Sequence, residues 1–230
     1  LGVPQDYKTA VKWWRLAAEQ GFAVAEFNLG LMYSRGLGVP QDHKTAVKWY
    51  HLAAEQGYPA AQINLGNMYR TGRGVTQDYK AAVKWYRPAA KRGVVLAQDK
   101  LGDMYRKGHG VSQDYETAVK WYRLAAERGY VSAQTSLGLR YEKGQGVPKN
   151  FETAAKWYRI AARQGSANAQ SNLGFMYQKG RGVPQNYKTA VEWYKLSAKQ
   201  GDARAQSKLG WMYRKGLGVP ENFQTAFKWY

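Results

Sequence analysis

One segment of 36 residues, Ala23 to Tyr58, returns along this chain without an insertion or deletion. Further copies begin at Pro59, Val95, Val131, Ala167 and Ala203. The last runs to residue 230, and residues 1–22 hold the back part of another. Leu29 recurs as Leu65, Leu101, Leu137, Leu173 and Leu209. Trp13 and Trp49 recur as Trp85, Trp121, Trp157, Trp193 and Trp229. A fixed period of this size marks a supersecondary unit that buries its apolar face only by stacking on its neighbours. The sequence therefore predicts one repeat array over 1–230, divided at 23–58, 59–94, 95–130, 131–166, 167–202 and 203–230, in place of the one or two globular domains that 230 residues ordinarily suggest.

Within one copy, Ala25, Leu29, Met32 and Tyr33 lie at i, i+4, i+7 and i+8, one face of a helix, here helix A. Gly36 and Gly38 follow, where a left-handed residue ends a helix at low cost. Pro40 biases Val39 toward extended backbone. Asp42 stands where an N-cap belongs. Helix B then runs from about His43 to Glu55, with Ala46, Val47, Tyr50, Ala53 and Ala54 as its apolar stripe. No stretch alternates with period two. The expectation is an all-α chain of six A helices and seven B helices, with Gly30 and the alanines allowing close approach.

The pattern A-E/Q-x-x-L-G-x-M-Y-x-x-G-x-G-V-P-Q-D-Y-x-x-A-x-x-W-Y-x-x-A-A-x-x-G resembles the Sel1-like repeat across the whole chain. That resemblance implies a right-handed α/α superhelical solenoid akin to the tetratricopeptide repeat, serving as an adaptor or scaffold in protein complexes. Bacterial members of the family are often exported and act in signalling or host interaction. Some secreted members are stapled by disulfides; this chain has no Cys and departs from that branch. A Cys-free chain suits cytosol and periplasm alike, so the compartment stays open.

Comparing copies separates scaffold from surface. In helix A the constant positions are Ala25, Leu29, Gly30 and Tyr33. The varying ones, Val24, Phe27, Leu31 and Ser34, cluster on the opposite face at about 100° per residue. In such repeats the first helix lines the concave surface, which binds extended partners. The candidate recognition surface is accordingly Phe27 and Leu31, then Ile63, Asn67 and Arg70, then Asp99, Asp103 and Arg106. It continues with Thr135 and Leu139, Ser171 and Phe175, and Ser207, Trp211 and Arg214. Phe175 and Trp211 have the character of interface anchors.

Two positions break the pattern. Pro88 replaces a Leu or Ile inside helix B and predicts a kink or early stop between Lys84 and Gly93. Arg140 replaces a Met on the apolar stripe and predicts a side chain that snorkels to water.

Chemistry is absent from the pattern. His43 stands at a Tyr or Phe position, His51 at an exposed cationic one, and His109 in a glycine-flanked loop. They share no metal-ligand spacing. The glycines follow helices and form no phosphate loop. No enzyme activity, cofactor or metal is expected. The net charge of +19 is uneven: residues 59–94 carry seven basic and one acidic side chain, whereas 23–58 are neutral. Such charge admits an acidic protein or peptide partner, and equally a solvated outer face. The alternative function is binding of nucleic acid or an anionic envelope polymer. Against nucleic acid, the Trp–Tyr pairs are accounted for by packing, and Asp99, Asp103 and Glu142 repel phosphate. No apolar run reaches the ~18 residues of a membrane span. The first helix B carries Trp13, Trp14 and Leu16 and the last carries Phe227, Trp229 and Tyr230. Bare solenoid ends predict either further repeats or end-to-end self-association.

Overall fold

The computed structural model of the chain describes residues 6–230; the first five residues of the opening partial repeat lie outside the described residues. Among the described residues there are thirteen helices and no strand. The chain divides into two compact units, residues 1–114 and 115–230. The first contains α1 (Tyr7–Glu19), α2 (Ala23–Arg35), α3 (His43–Glu55), α4 (Pro59–Thr71), α5 (Tyr79–Lys91) and α6 (Val95–Lys107). The second contains α7 (Tyr115–Glu127), α8 (Val131–Lys143), α9 (Phe151–Arg163), α10 (Ala167–Lys179), α11 (Tyr187–Lys199), α12 (Ala203–Lys215) and α13 (Phe223–Trp229). Even-numbered helices are the A helices and odd-numbered ones the B helices, six and seven as expected.

The loop motif explains where the helices begin and end. Each A helix ends on a left-handed glycine, Gly36 at φ 69° in α2. Gln41 Nε2 then donates to the Ser34 carbonyl at 2.9 Å, covering one of the last free acceptors of the helix. The Asp42 N–H donates to the Tyr33 carbonyl at 2.9 Å and closes the loop. The Asp42 carboxylate accepts from the Lys44 and Thr45 N–H groups and caps α3. Asp or Asn plays the same capping part in α1, α5, α9, α11 and α13.

Two glycine contacts set the spacing of the helices. In α4, a Cβ on Gly66 would lie 2.5 Å from Cε1 of Tyr86, closer than any side chain tolerates. Tyr50, Tyr158 and Tyr194 meet Gly30, Gly138 and Gly174 in the same way. These tyrosines are fully buried beside Leu65, Leu173 and their equivalents. The second contact joins consecutive repeats. Gly74 (φ +72°) lies so close over the first residue of α3 that a Cβ would sit 2.3 Å from the His43 carbonyl oxygen. Trp85 packs against the core that α3 and α4 form together, and Trp49, Trp193 and Trp229 do the same for the helix pairs before them.

Two expectations are corrected. α5 does not stop at Pro88: it spans thirteen residues like the other full-length B helices, and its C-cap N–H, on Arg92, donates to the Pro88 carbonyl. Pro88 shares its register with Leu52, Leu124, Ile160 and Leu196, which are 43–46% exposed. Pro88 itself is half-buried, and its missing N–H leaves the Lys84 carbonyl without an intrahelical donor. Arg140 does not reach water. It is buried, its guanidinium donates to Gln145 Oε1 in the Gly144–Gly146 loop, and it lies 5.7 Å from the Tyr115 ring centroid. The loop supplies a partner that the stripe itself lacks.

Gly66→Ala is expected to destabilise the protein by about 1–3 kcal/mol, because the overlap with Tyr86 outweighs the gain in helix propensity; a thermal melt measures it. Pro88→Leu is expected to raise stability by about 1 kcal/mol, through the restored bond to Lys84, and a denaturant titration showing a loss would disprove this.

Candidate partner-binding face

The varying registers of the A helices have different fates. At the Phe27 register, Phe27 and Thr135 turn toward the start of the next A helix. Phe27 packs its ring 5.2 Å from Tyr58 and 5.9 Å from Tyr50. Thr135 donates to the Val131 carbonyl and shares a 3.2 Å hydrogen bond with the Ser166 hydroxyl. Ile63, Asp99 and Ser171 are buried, at 5%, 2% and 6% exposure. Those three candidates are corrected: a partner cannot reach them. Ser207, at the same register of α12, is exposed.

The Ser34 register serves two of the buried tyrosines, and Asn67 of the Leu31 register serves a third. Tyr158 donates to Glu142 Oε2 at 2.7 Å and Tyr194 to Gln178 Oε1 at 2.8 Å. Tyr86 donates to Asn67 Oδ1 at 2.8 Å and also meets Arg70. Burial pushes the Tyr86 hydroxyl up to about 12, so it remains a donor at every ordinary pH. Burial raises Tyr158 further, with the Glu142 carboxylate adding to it. Arg106 is half-buried and holds Asp103 at 3.1 Å, and Arg214 is exposed.

The Leu31 register remains accessible throughout. Leu31, Asn67, Asp103, Leu139, Phe175 and Trp211 are all half-buried. Phe175 and Trp211 rest on the edge of the core around Tyr194 and Leu209. The Arg181 guanidinium stands 5.3 Å from the Phe175 ring centroid.

A buried polar ladder escaped the sequence reading. Gln62 Nε2 donates to the Ala54 carbonyl at 3.2 Å, and Gln98, Gln134 and Gln170 repeat the bond to Ala90, Ala126 and Ala162. Gln164 and Gln200 donate in turn to Gln134 and Gln170, and Gln56 to Glu26. Arg92 replaces that donor glutamine after α5 and donates to the Gly57 carbonyl instead, leaving Gln62 Oε1 without a hydrogen-bond partner. The signal in the sequence is the constant Glu or Gln after the first Ala of the motif. A row of exposed aliphatics on the B helices, Leu52, Leu124, Ile160 and Leu196, was likewise not foreseen.

His51 lies edge-on to Trp85 at 5.2 Å and 3.4 Å from Glu55, and His109 stacks on Tyr79 at 4.3 Å. Among the described residues no three His, Cys, Asp or Glu side chains gather where they could hold a metal, and no helix is long and apolar enough to cross a membrane.

Two-helix repeats of constant length, interlocked by glycine–tyrosine contacts and a polar ladder, define an α/α solenoid. The Sel1 repeat matches residues 1–22, 23–58, 59–94, 95–130, 131–166, 167–202 and 203–230, and the chain belongs to the Sel1 repeat family. It is similar to a protective antigen present in uropathogenic Escherichia coli strains that displays an SLR fold, with TM-score 0.92 and 41% identity over 95% of this chain. The chain spans 47% of that antigen's length. A Sel1 repeat protein from Oxalobacter formigenes is similar with TM-score 0.89 and 37% identity, covering 97% of this chain and 89% of that one. An immunity protein from Pseudomonas aeruginosa is similar with TM-score 0.51 and 27% identity, covering 99% and 78%. No curated protein matches the chain. Sel1 repeat proteins are generally non-enzymatic scaffolds for protein–protein interaction.

Glu26 is the one acid on the ladder, 3% exposed. Burial raises its carboxyl above the ordinary range, an effect partly offset by the Gln56 amide. A raised folded-state pKa means that ionisation costs stability in full above that pKa; the cost fades as the pH falls from there toward the ordinary carboxyl value and is gone below it. Glu26→Gln, which installs the amide of the other five A helices, is expected to stabilise by about 1 kcal/mol at neutral pH. The advantage over wild type should shrink toward about pH 4, and paired melts across that window check it.

Proposed function

We propose that the chain is a non-enzymatic scaffold that holds a peptide or an extended segment of a partner protein against its A helices, at the Leu31 register. One observation carries the reading. That register is half-exposed in every A helix, and its residue changes from Leu31 to Asn67, Asp103, Leu139, Phe175 and Trp211, while the glycine before it never changes. Variable chemistry in a constant frame is what a surface selecting a particular partner requires. Phe175 and Trp211 are the apolar anchors, Asn67 and Asp103 the polar contacts. Phe27, Arg70, Arg106, Thr135, Leu139, Ser207 and Arg214 flank them. The family's scaffolding role and the likeness to an immunity protein support a protein partner.

Peptides selected from a random library on the intact chain test this. Phe175→Ala and Trp211→Ala are expected to weaken the selected peptide by more than about 1 kcal/mol each, with melting temperatures close to wild type. Leu173→Ala, fully buried on the packed stripe, is expected to cost about 2–5 kcal/mol of stability instead. If the two aromatic variants melt as low as Leu173→Ala, or bind as wild type does, the recognition face lies elsewhere.

A further inference from the structure

Along the outer side of α5, Lys80, Lys84, Arg87 and Lys91 follow at intervals of four, three and four residues, so the four cations stand on one strip of the helix. They rim a groove of about 450 Å³ whose floor is aliphatic, made by Val83, Pro88 and Val111 of the following loop. All four side chains are exposed, and among the described residues no carboxylate forms an ion pair with them.

The repeat supplies an internal comparison. The same four registers hold Lys8, Lys12, Arg15 and Glu19 in α1, and α3, α7, α9 and α11 likewise carry at least one acid there: Glu55, Glu116, Glu152 or Glu192. Of the six full-length B helices, α5 alone is cationic at all four. α1 also borders a groove of about 460 Å³ in the equivalent place, lined by Lys8, Lys12, Arg15 and Leu16. Groove shape is therefore common to both, and the uninterrupted charge belongs to α5.

We propose that this strip is a second docking surface, separate from the A-helix face, for an acidic amphipathic segment of a partner protein in which carboxylates alternate with aliphatic side chains. Like charges three and four residues apart on a helix repel one another. A partner whose carboxylates match that spacing relieves the repulsion and gains complementary contacts. The aliphatic floor favours polypeptide over nucleic acid. Bases bind by stacking on aromatic faces, the floor offers none, and the adjacent Trp85 ring already has Lys84 Nζ 5.6 Å from its centroid. An aliphatic side chain of the partner, by contrast, loses water against the half-buried Pro88 and Val111.

Fluorescence anisotropy on the full chain tests this with three labelled probes: a peptide of four Glu-Leu-Glu triplets, an oligoglutamate of equal charge, and a short oligothymidylate. The triplet peptide is expected to bind at least about tenfold more tightly than the other two. K80E/K84E/R87E should weaken it at least about tenfold, whereas the matched reversal K8E/K12E/R15E changes it less than about threefold. Circular dichroism confirms that both variants keep wild-type helicity; if a reversal lowers it, K84Q/R87Q set against K12Q/R15Q carries the same comparison. Equal weakening by the two reversals would mean that binding follows the overall charge and would overturn the proposal. Oligoglutamate or oligothymidylate binding as tightly as the triplet peptide would overturn it too. Phe175→Ala leaves this binding unchanged, so the two surfaces stand or fall separately.

Discussion

The contact between an A-helix glycine and a B-helix tyrosine is the constraint on which the rest of the structure depends. Gly66 has no side chain because the Tyr86 ring occupies the space a Cβ would need. That approach buries the tyrosine ring completely and brings the two helices of a repeat together. A buried ring carries its hydroxyl inward with it, and the hydroxyl must be satisfied. The A helix therefore has to offer an acceptor near its last turn: Asn67, Glu142 or Gln178 in different repeats. One close contact thus dictates the chemistry of residues that look free to vary.

Polar links join the repeats where apolar packing ends. Gln134 bonds the last turn of α7 and accepts from the residue that follows α9, so a single side chain ties three helices at their ends. The loop glycine pressed on the first residue of the preceding B helix does the same at the opposite edge. Both devices use backbone carbonyls or a recurring amide, which is why they tolerate so much change on the exposed faces. Where the pattern slips, a local substitute appears: Arg92 reaches the Gly57 carbonyl, and Arg140 finds Gln145.

The surfaces proposed for binding lie largely outside these obligations. On the A helices the Leu31 register is variable and accessible throughout. On the B helices the outer strip carries at least two cations in every full-length repeat, and only α5 lacks an acid at those registers. The two surfaces have different chemistry, aromatic anchors on one and an aliphatic groove with a basic rim on the other. A scaffold that engages partners on both could hold two segments at once, the advantage of an array over a single pocket.

Fold class was readable because the evidence for it is local and repeated. Period, glycine stops, the Asp cap and the 3.6-residue stripe are properties of neighbouring residues, and six copies agree. The ends of α3, at His43 and Glu55, came directly from that pattern. The recognition face was only partly readable. Helical periodicity puts Ile63, Asp99 and Ser171 away from the constant stripe, yet they are buried. Burial depends on side chains that no count along a single helix contains, as the Ser166 hydroxyl beside Thr135 shows. Pro88 and Arg140 were misjudged for the same reason: the cost of a proline or a buried charge depends on what stands beside it in space. The sequence by itself determined the repeat, its helices and its caps, since these are decided over a few adjacent residues. Only the tertiary structure decided which variable side chains remain exposed, because that depends on atoms 30 or more residues away along the chain.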